Sequence, residues 1–81
     1  MEYKFTLQKN IHMYNHLITC TDGCNIYQAI CESAPEREKT LIFWPEDFGL
    51  PPRETETLEK QLRRWAEDNG FACIIHKGKG R

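Results

Sequence analysis

Residues 39–76 hold a strand, a helix and a second strand in succession, and this arrangement limits the possible folds more than any other feature. An apolar run at residues 40–44 precedes a loop rich in proline and aromatic residues. An amphipathic helix follows, and a second apolar run occupies residues 71–75. Two strands joined by a crossover helix usually pair in parallel, and ligands usually bind at the loop that leaves the first strand.

The helix of this unit is predicted from its apolar stripe. Leucine, tryptophan and alanine recur at i, i+4, i+7 and i+8, at Leu58, Leu62, Trp65 and Ala66. Asn69-Gly70 then fits a helix end, because glycine readily adopts the left-handed conformation required there.

The first half of the chain is predicted to add two strands and one helix. Tyr3, Phe5 and Leu7 alternate with polar residues, which indicates a half-buried strand. Residues 11–20 fit a second strand, with a helix as the alternative. Residues 25–31 are predicted to be a short helix. The predicted fold is α+β: a mixed sheet of about four strands with two helices on one face, in the order ββαβαβ.

Length and composition favour one small domain, residues 1–81, with a frayed basic tail at residues 77–81. The formal net charge of −1 argues against binding nucleic acid by overall charge alone. The sequence shows neither a long apolar run nor a signal peptide at its start, so we expect a cytoplasmic protein. In that compartment its four cysteines are expected to be free thiols.

The loop after the first strand of the unit is the leading candidate site. Its aromatic residues and prolines make it apolar yet stiff, so binding a partner costs little conformational entropy. Its carboxylates suit a basic partner. We therefore predict a non-enzymatic module that binds a protein partner, as an adaptor or an inhibitor of the kind that phages and mobile elements carry. The predicted contacts are Trp44, Glu46, Asp47, Phe48, Leu50 and Arg53. The alternative is that Trp44 and Phe48 fold inward and close one end of the core.

The basic C-terminal tail supports a second hypothesis. Lys77, Lys79 and Arg81 could contact the phosphates of a nucleic acid, and the glycines between them would allow close approach.

The sequence does not distinguish a monomer from a homodimer.

Thiol chemistry at Cys24 is a third hypothesis. If Cys24 lies in the first turn of a helix, the helix dipole would lower its pKa, and Cys20 could act as a resolving thiol. Cys24, the run Thr40–Trp44 and the ending Ile75-His76-Lys77-Gly78 together resemble the small sulfur-carrier proteins of the TusA type. The resemblance implies a sulfur-carrying Cys24. The Cys-Pro-x-Pro motif of that family is absent, because Asn25-Ile26-Tyr27 follows Cys24.

Four potential zinc ligands recur every four residues, at His12, His16, Cys20 and Cys24. On a strand each step of four residues spans about 13 Å, which is too far for one ion. We therefore predict no metal and no cofactor. The sequence also lacks a phosphate-binding glycine loop and a serine–histidine–acid set, so no catalytic residues are predicted.

Overall fold

The computed structural model describes residues 2–78, which form one five-stranded sheet and one α-helix. The strands lie in the sheet in the order of the sequence: β1 Lys4–His12, β2 Asn15–Thr21, β3 Ile26–Ser33, β4 Thr40–Phe43 and β5 Ala72–Ile75. Strands β1 to β4 pair antiparallel, and β4 and β5 pair in parallel. A 3-10 turn at Pro45–Phe48 and helix α1 at Pro52–Asp68 connect β4 to β5.

The predicted strand–helix–strand unit is confirmed. Strand β4 pairs with β5 in parallel, with Thr40 opposite Ala72. Helix α1 buries Leu58, Leu62 and Ala66, three residues of the predicted stripe. The helix is followed by Gly70 at a φ of 82°, and the Phe71 N–H donates to the carbonyl of Ala66 at 2.8 Å. The Ala66 carbonyl also accepts the Asn69 N–H at 3.1 Å, so two donors that follow the helix cap this carbonyl of its last turn.

The predicted arrangement of about four strands and two helices is wrong. Residues 25–31, the predicted first helix, lie mostly in β3, so the sheet has five strands and α1 is the one α-helix within residues 2–78. Asp22 does accept hydrogen bonds from the backbone N–H groups of Cys24 and Asn25, as a helix N-cap would. Here those bonds close the turn between β2 and β3. The same aspartate chemistry serves helix caps and turns.

Residues 11–20 form the hairpin between β1 and β2, so the strand alternative is confirmed in place of the helix. Met13 and Tyr14 make the turn, and Met13 has a φ of 52°. The register shifts between Gln8 and His12, where Asn10 has a φ of 57°. Such a bulge bends the end of the hairpin and increases its twist.

A buried histidine holds this hairpin to β3. His16 is 4% exposed, and its Nδ1 accepts a hydrogen bond from the Asn10 N–H at 2.8 Å. The one N–H proton of the neutral ring therefore lies on Nε2, which donates to Ser33 Oγ at 2.5 Å. Burial lowers the pKa of His16, and the positive charge of Lys9 lowers it further. A neutral His16 thus connects the bulge of β1, β2 and the end of β3.

The core lies between α1 and one face of the sheet. Its buried hydrophobic residues are Tyr3, Ile18, Cys20, Ala29, Cys31, Leu41, Phe43, Phe48, Leu58, Leu62 and Ala66. Because successive residues of a strand point to opposite faces, Leu17, Ile30, Ile42 and Ile74 lie on the other face of the sheet. Within residues 2–78, no helix combines the length and the apolar character needed to cross a membrane.

Candidate functional site

The predicted binding loop begins where β4 ends and forms one wall of a cleft. The 3-10 turn follows Trp44, and the Gly49 N–H donates to the carbonyl of Glu46 at 3.1 Å. Gly49 has a φ of 78°, a conformation that glycine tolerates without strain. The hydroxyl of Thr55 donates to the carbonyl of Leu50 at 3.1 Å, which joins the loop to the first turn of α1. Backbone and side-chain bonds therefore hold the loop in one shape.

The cleft has a volume of about 720 Å³ and lies at the carboxyl ends of the parallel strands, where α/β units usually bind. Seven of its ten lining residues have charged or polar side chains. The lining residues are Glu46, Gly49, Leu50, Pro52, Thr55, Glu56, Glu59, Lys60, Arg63 and Lys77. Three carboxylates and three cationic side chains therefore face one another around the cleft, and their formal charges cancel.

Glu59 and Glu46 tie the C-terminal segment to the cleft. Lys77 Nζ lies 3.4 Å from Glu59 Oε2, and Arg63 lies 3.9 Å from the other carboxylate oxygen. The backbone N–H of Gly78 donates to the carboxylate of Glu46. These contacts are exposed, so each adds only about 0–1 kcal/mol to stability. Together they bring residues after β5 beside the loop after β4.

The predicted site residues divide between the cleft, its surroundings and the core. Glu46 and Leu50 line the cleft. Trp44 is half-buried, and its ring stacks on His76 with the centroids 5.4 Å apart. Phe48 is 7% exposed and belongs to the core, as the inward-folding alternative expected. Asp47 is half-buried, and Arg53 is exposed without lining the cleft.

The site predicted from the sequence did not include the charged residues of α1 that line the cleft. Glu56, Glu59, Lys60 and Arg63 recur at helical spacing, so their sequence pattern indicates one charged helix face. That pattern alone does not distinguish a solvated face from the wall of a cleft. The cleft becomes visible only when the 3-10 turn and Lys77 are placed opposite this face.

The basic tail is only partly described. Lys77 is engaged with Glu59 in the cleft. The other two residues of the nucleic-acid hypothesis, Lys79 and Arg81, lie outside the described residues. Nucleic-acid binding through this tail stays a prediction.

The helix expected after Cys24 does not exist, so the argument for a dipole-activated thiol is wrong. Cys24 is exposed in the turn before β3. Cys20, the proposed resolving thiol, is fully buried, and desolvation together with the charge of Asp22 raises its pKa to about 11. A buried thiol with a raised pKa reacts slowly, because the thiolate is the nucleophile.

We expect native-state alkylation to modify Cys24 first. Cys20 and Cys31 should stay protected, because both are fully buried and burial raises the pKa of Cys31 to about 12. The measurement is mass spectrometry after timed iodoacetamide treatment, with the urea-unfolded chain as the control in which all four cysteines react. Equal rates for Cys20 and Cys24 in the native protein would contradict the structure.

No group of three or more histidine, cysteine, aspartate or glutamate side chains within residues 2–78 is placed to hold a metal ion. The four potential zinc ligands that recur every four residues in the sequence lie apart in the structure or are already hydrogen-bonded. His12 lies at the end of β1 and Cys24 in the turn before β3, while the buried His16 is bonded to Asn10 and Ser33.

Comparison of this chain with protein-family models, with curated proteins and with solved structures finds no match.

Proposed function

We propose that this chain is a protein-binding module that takes a charged, polar segment of its partner into the cleft between the 3-10 turn, α1 and Lys77. The observation that carries the proposal is the lining of that cleft. Glu46, Glu56 and Glu59 provide negative charge, and Lys60, Arg63 and Lys77 provide positive charge.

This lining favours a protein segment over a small molecule. Small-molecule pockets are predominantly apolar and aromatic, with a few polar groups that fix orientation. Here Leu50 and Pro52 are the apolar side chains among the ten lining residues. A partner segment that carries both acidic and basic side chains would complement such a wall. Charge complementarity of this kind mainly sets specificity and the rate of association.

The stiffness of the loop supports the same proposal. Phe48 is fixed in the core, Trp44 is stacked on His76, and Pro51-Pro52 begin the helix. A wall that is already ordered loses little conformational entropy when the partner arrives. Of the residues predicted from the sequence, Glu46 and Leu50 would touch the partner directly, and Trp44 would hold the loop.

Adjacent arginines on α1 provide a matched test. Arg63 lines the cleft, whereas Arg64 lines a groove beside Phe5 on the other side of the helix. Both are exposed, so either charge reversal should change the stability by no more than about 1 kcal/mol, with the larger loss at Arg63, which pairs with Glu59. We expect Arg63→Glu to weaken partner binding about ten-fold and Arg64→Glu to leave it near the wild-type value.

The measurement is quantitative pull-down from the native cell, with and without nuclease, followed by titration of the recovered protein. Partners held by wild type and by Arg64→Glu but lost by Arg63→Glu support the cleft. A partner that both variants retain places the contact elsewhere. Capture that disappears with nuclease would instead support nucleic-acid binding.

A further inference from the structure

A second groove lies beside β1, between this strand and the C-terminal end of α1. It has a volume of about 460 Å³ and seven lining residues. Thr6 and Asn69 are polar, and Lys9 is the one charged residue among the seven. The other four are apolar or aromatic and half-buried: Phe5, Leu7, Trp65 and Phe71. We call this feature the β1 groove.

The aromatic rings of the β1 groove hold one another in place. The Trp65 ring contacts both neighbours, with its centroid 6.0 Å from that of Phe5 and 6.3 Å from that of Phe71. These rings and Leu7 also pack against the core. Lys9 Nζ lies 5.2 Å from the Phe71 centroid, so a positive charge stands beside the rings. The groove is therefore ordered in the free chain, and binding there loses little conformational entropy.

The β1 groove follows an open edge of the sheet. Within residues 2–78, β1 pairs with β2 alone, so the backbone N–H and C=O groups on its other side have no neighbouring strand. Phe5 and Leu7 point to the face that α1 covers, whereas Thr6 points to the opposite face. All three line the same groove, so it lies along the edge of the strand. The pairing with β2 is regular over residues 4–8, before the bulge.

We infer that the β1 groove binds an extended acidic peptide, which adds to β1 as a further strand of the sheet. The main chain of the peptide would bond to the open edge over residues 4–8, and every second side chain would enter the groove. Apolar side chains at those positions would pack against Leu7 and Trp65. An acidic side chain two residues further along would pair with Lys9.

Charge favours an acidic peptide over a second copy of this chain. Strand β1 carries two lysines, Lys4 and Lys9, and no acidic residue. Pairing β1 with the β1 of another copy would bring four ammonium groups and no carboxylate into one strand pair. Lysines on edge strands discourage such self-pairing. A peptide with a carboxylate near Lys9 would meet the opposite charge instead, which stabilises a strand pair.

A polypeptide also fits both parts of this site at once. The aromatic rings of the β1 groove offer apolar contact, and the edge of β1 offers hydrogen-bonding groups at the spacing of a strand. A small apolar ligand would use the first and leave the second to water. Strand addition uses both, since the main chain supplies affinity and alternate side chains supply specificity.

The test uses two synthetic hexapeptides, Glu-Thr-Leu-Thr-Phe-Thr and the reverse sequence. Each places its glutamate, leucine and phenylalanine on one face, and the two differ in strand direction. Each is titrated to about 1 mM into the ¹⁵N-labelled full chain, and amide hydrogen exchange is followed by NMR. We expect one of them to shift the resonances of Leu7, Lys9 and Phe71. It should also slow exchange of the amides in residues 4–8 that face the open edge.

Exchanging the charge at Lys9 tests the acidic preference. Lys9→Glu should weaken binding of the glutamate peptide about five-fold and strengthen binding of a peptide with lysine in place of glutamate. Leu7→Thr should weaken binding about ten-fold, because it removes apolar surface from the groove. Gln8→Thr, on the opposite face of β1, is the matched control and should bind like wild type. Circular dichroism establishes that each variant is folded, and the exposed Lys9→Glu carries the test if Leu7→Thr does not fold.

Three results would overturn the inference. The first is that neither peptide binds at about 1 mM. The second is binding that leaves the exchange of the β1 amides unchanged, since the groove would then take an apolar ligand without strand addition. The third is a Lys9→Glu variant that keeps the wild-type preference for glutamate. Slow exchange of the same amides that increases with protein concentration, without peptide, would show self-pairing of β1 and would also exclude the peptide as occupant.

The β1 groove and the cleft can fail independently. Arg63 and Arg64 do not line the β1 groove, although Phe5 and Trp65 also border the groove that Arg64 lines. Arg63→Glu should therefore leave peptide binding unchanged. Loss of peptide binding in Lys9→Glu should in turn leave the partner of the cleft bound.

Discussion

Replacing Phe48 by alanine is expected to lower the free energy of unfolding by about 3–5 kcal/mol, the usual cost of removing a buried phenylalanine. Phe48 is 7% exposed and packs in the core from the 3-10 turn. Its loss would leave a cavity and release the loop that walls the cleft. The measurement is urea unfolding followed by circular dichroism.

Trp44→Ala is the control from the same loop. Trp44 is half-buried and stacks on the exposed His76, so its loss should cost about 1 kcal/mol. Comparing the two variants therefore shows whether Phe48, rather than Trp44, anchors the loop in the core. Equal losses would show that Trp44 is as deeply packed as Phe48, contrary to the structure.

The pH dependence of stability should show a component that belongs to His16. Burial lowers the pKa of His16 in the folded chain below its ordinary value of 6.5. As the pH falls, His16 of the unfolded chain is therefore protonated before His16 of the folded chain, and this favours unfolding. The contribution of His16 to the free energy of unfolding is fully present above pH 6.5 and is lost as the pH falls below that value. Protonation would also place a proton on Nδ1, which accepts the Asn10 N–H.

His16→Gln removes the titrating ring while keeping a polar side chain. We expect it to cost about 1–3 kcal/mol at pH 8, because the hydrogen bonds to Asn10 and Ser33 are disturbed. It should also flatten the dependence of stability on pH between about 5 and 6.5. Urea unfolding at several pH values measures both effects.

His12→Gln is the matched control, since His12 is exposed at the end of β1. It should keep the stability of wild type at pH 8. If His16→Gln retains the full wild-type slope, another group causes it and the neutral, buried state of His16 is refuted.

The best-predicted part of the chain is the unit from β4 to β5. Helix α1 has a single apolar stripe, a proline start and a glycine end, and each of these local signals favours the same structure. The loop before it was correctly identified as the segment leaving the first strand of a parallel pair. Whether Phe48 pointed in or out was left open by the sequence, because an aromatic side chain suits a core and an interface equally.

The misassigned strand β3 has a physical explanation. A half-buried strand is recognised when apolar and polar residues alternate. In β3 the helix side carries Ala29 and Cys31, while the opposite side carries Ile26 and Ile30. Apolar residues on both faces remove the period of two, and their spacing then imitates a helix. The apolar residues on the uncovered side of β3 are thus what concealed the strand.

The order of the strands also bears on how this chain folds. Each strand of the sheet is hydrogen-bonded to its neighbour in sequence, so β1 to β4 can assemble as a series of local hairpins. Pairing β5 with β4 instead requires closing the long connection formed by residues 44–71, which contains α1. Long closures are entropically slower than hairpin closures. The carboxyl-end cleft, which needs β5 and Lys77 in place, would therefore be completed last.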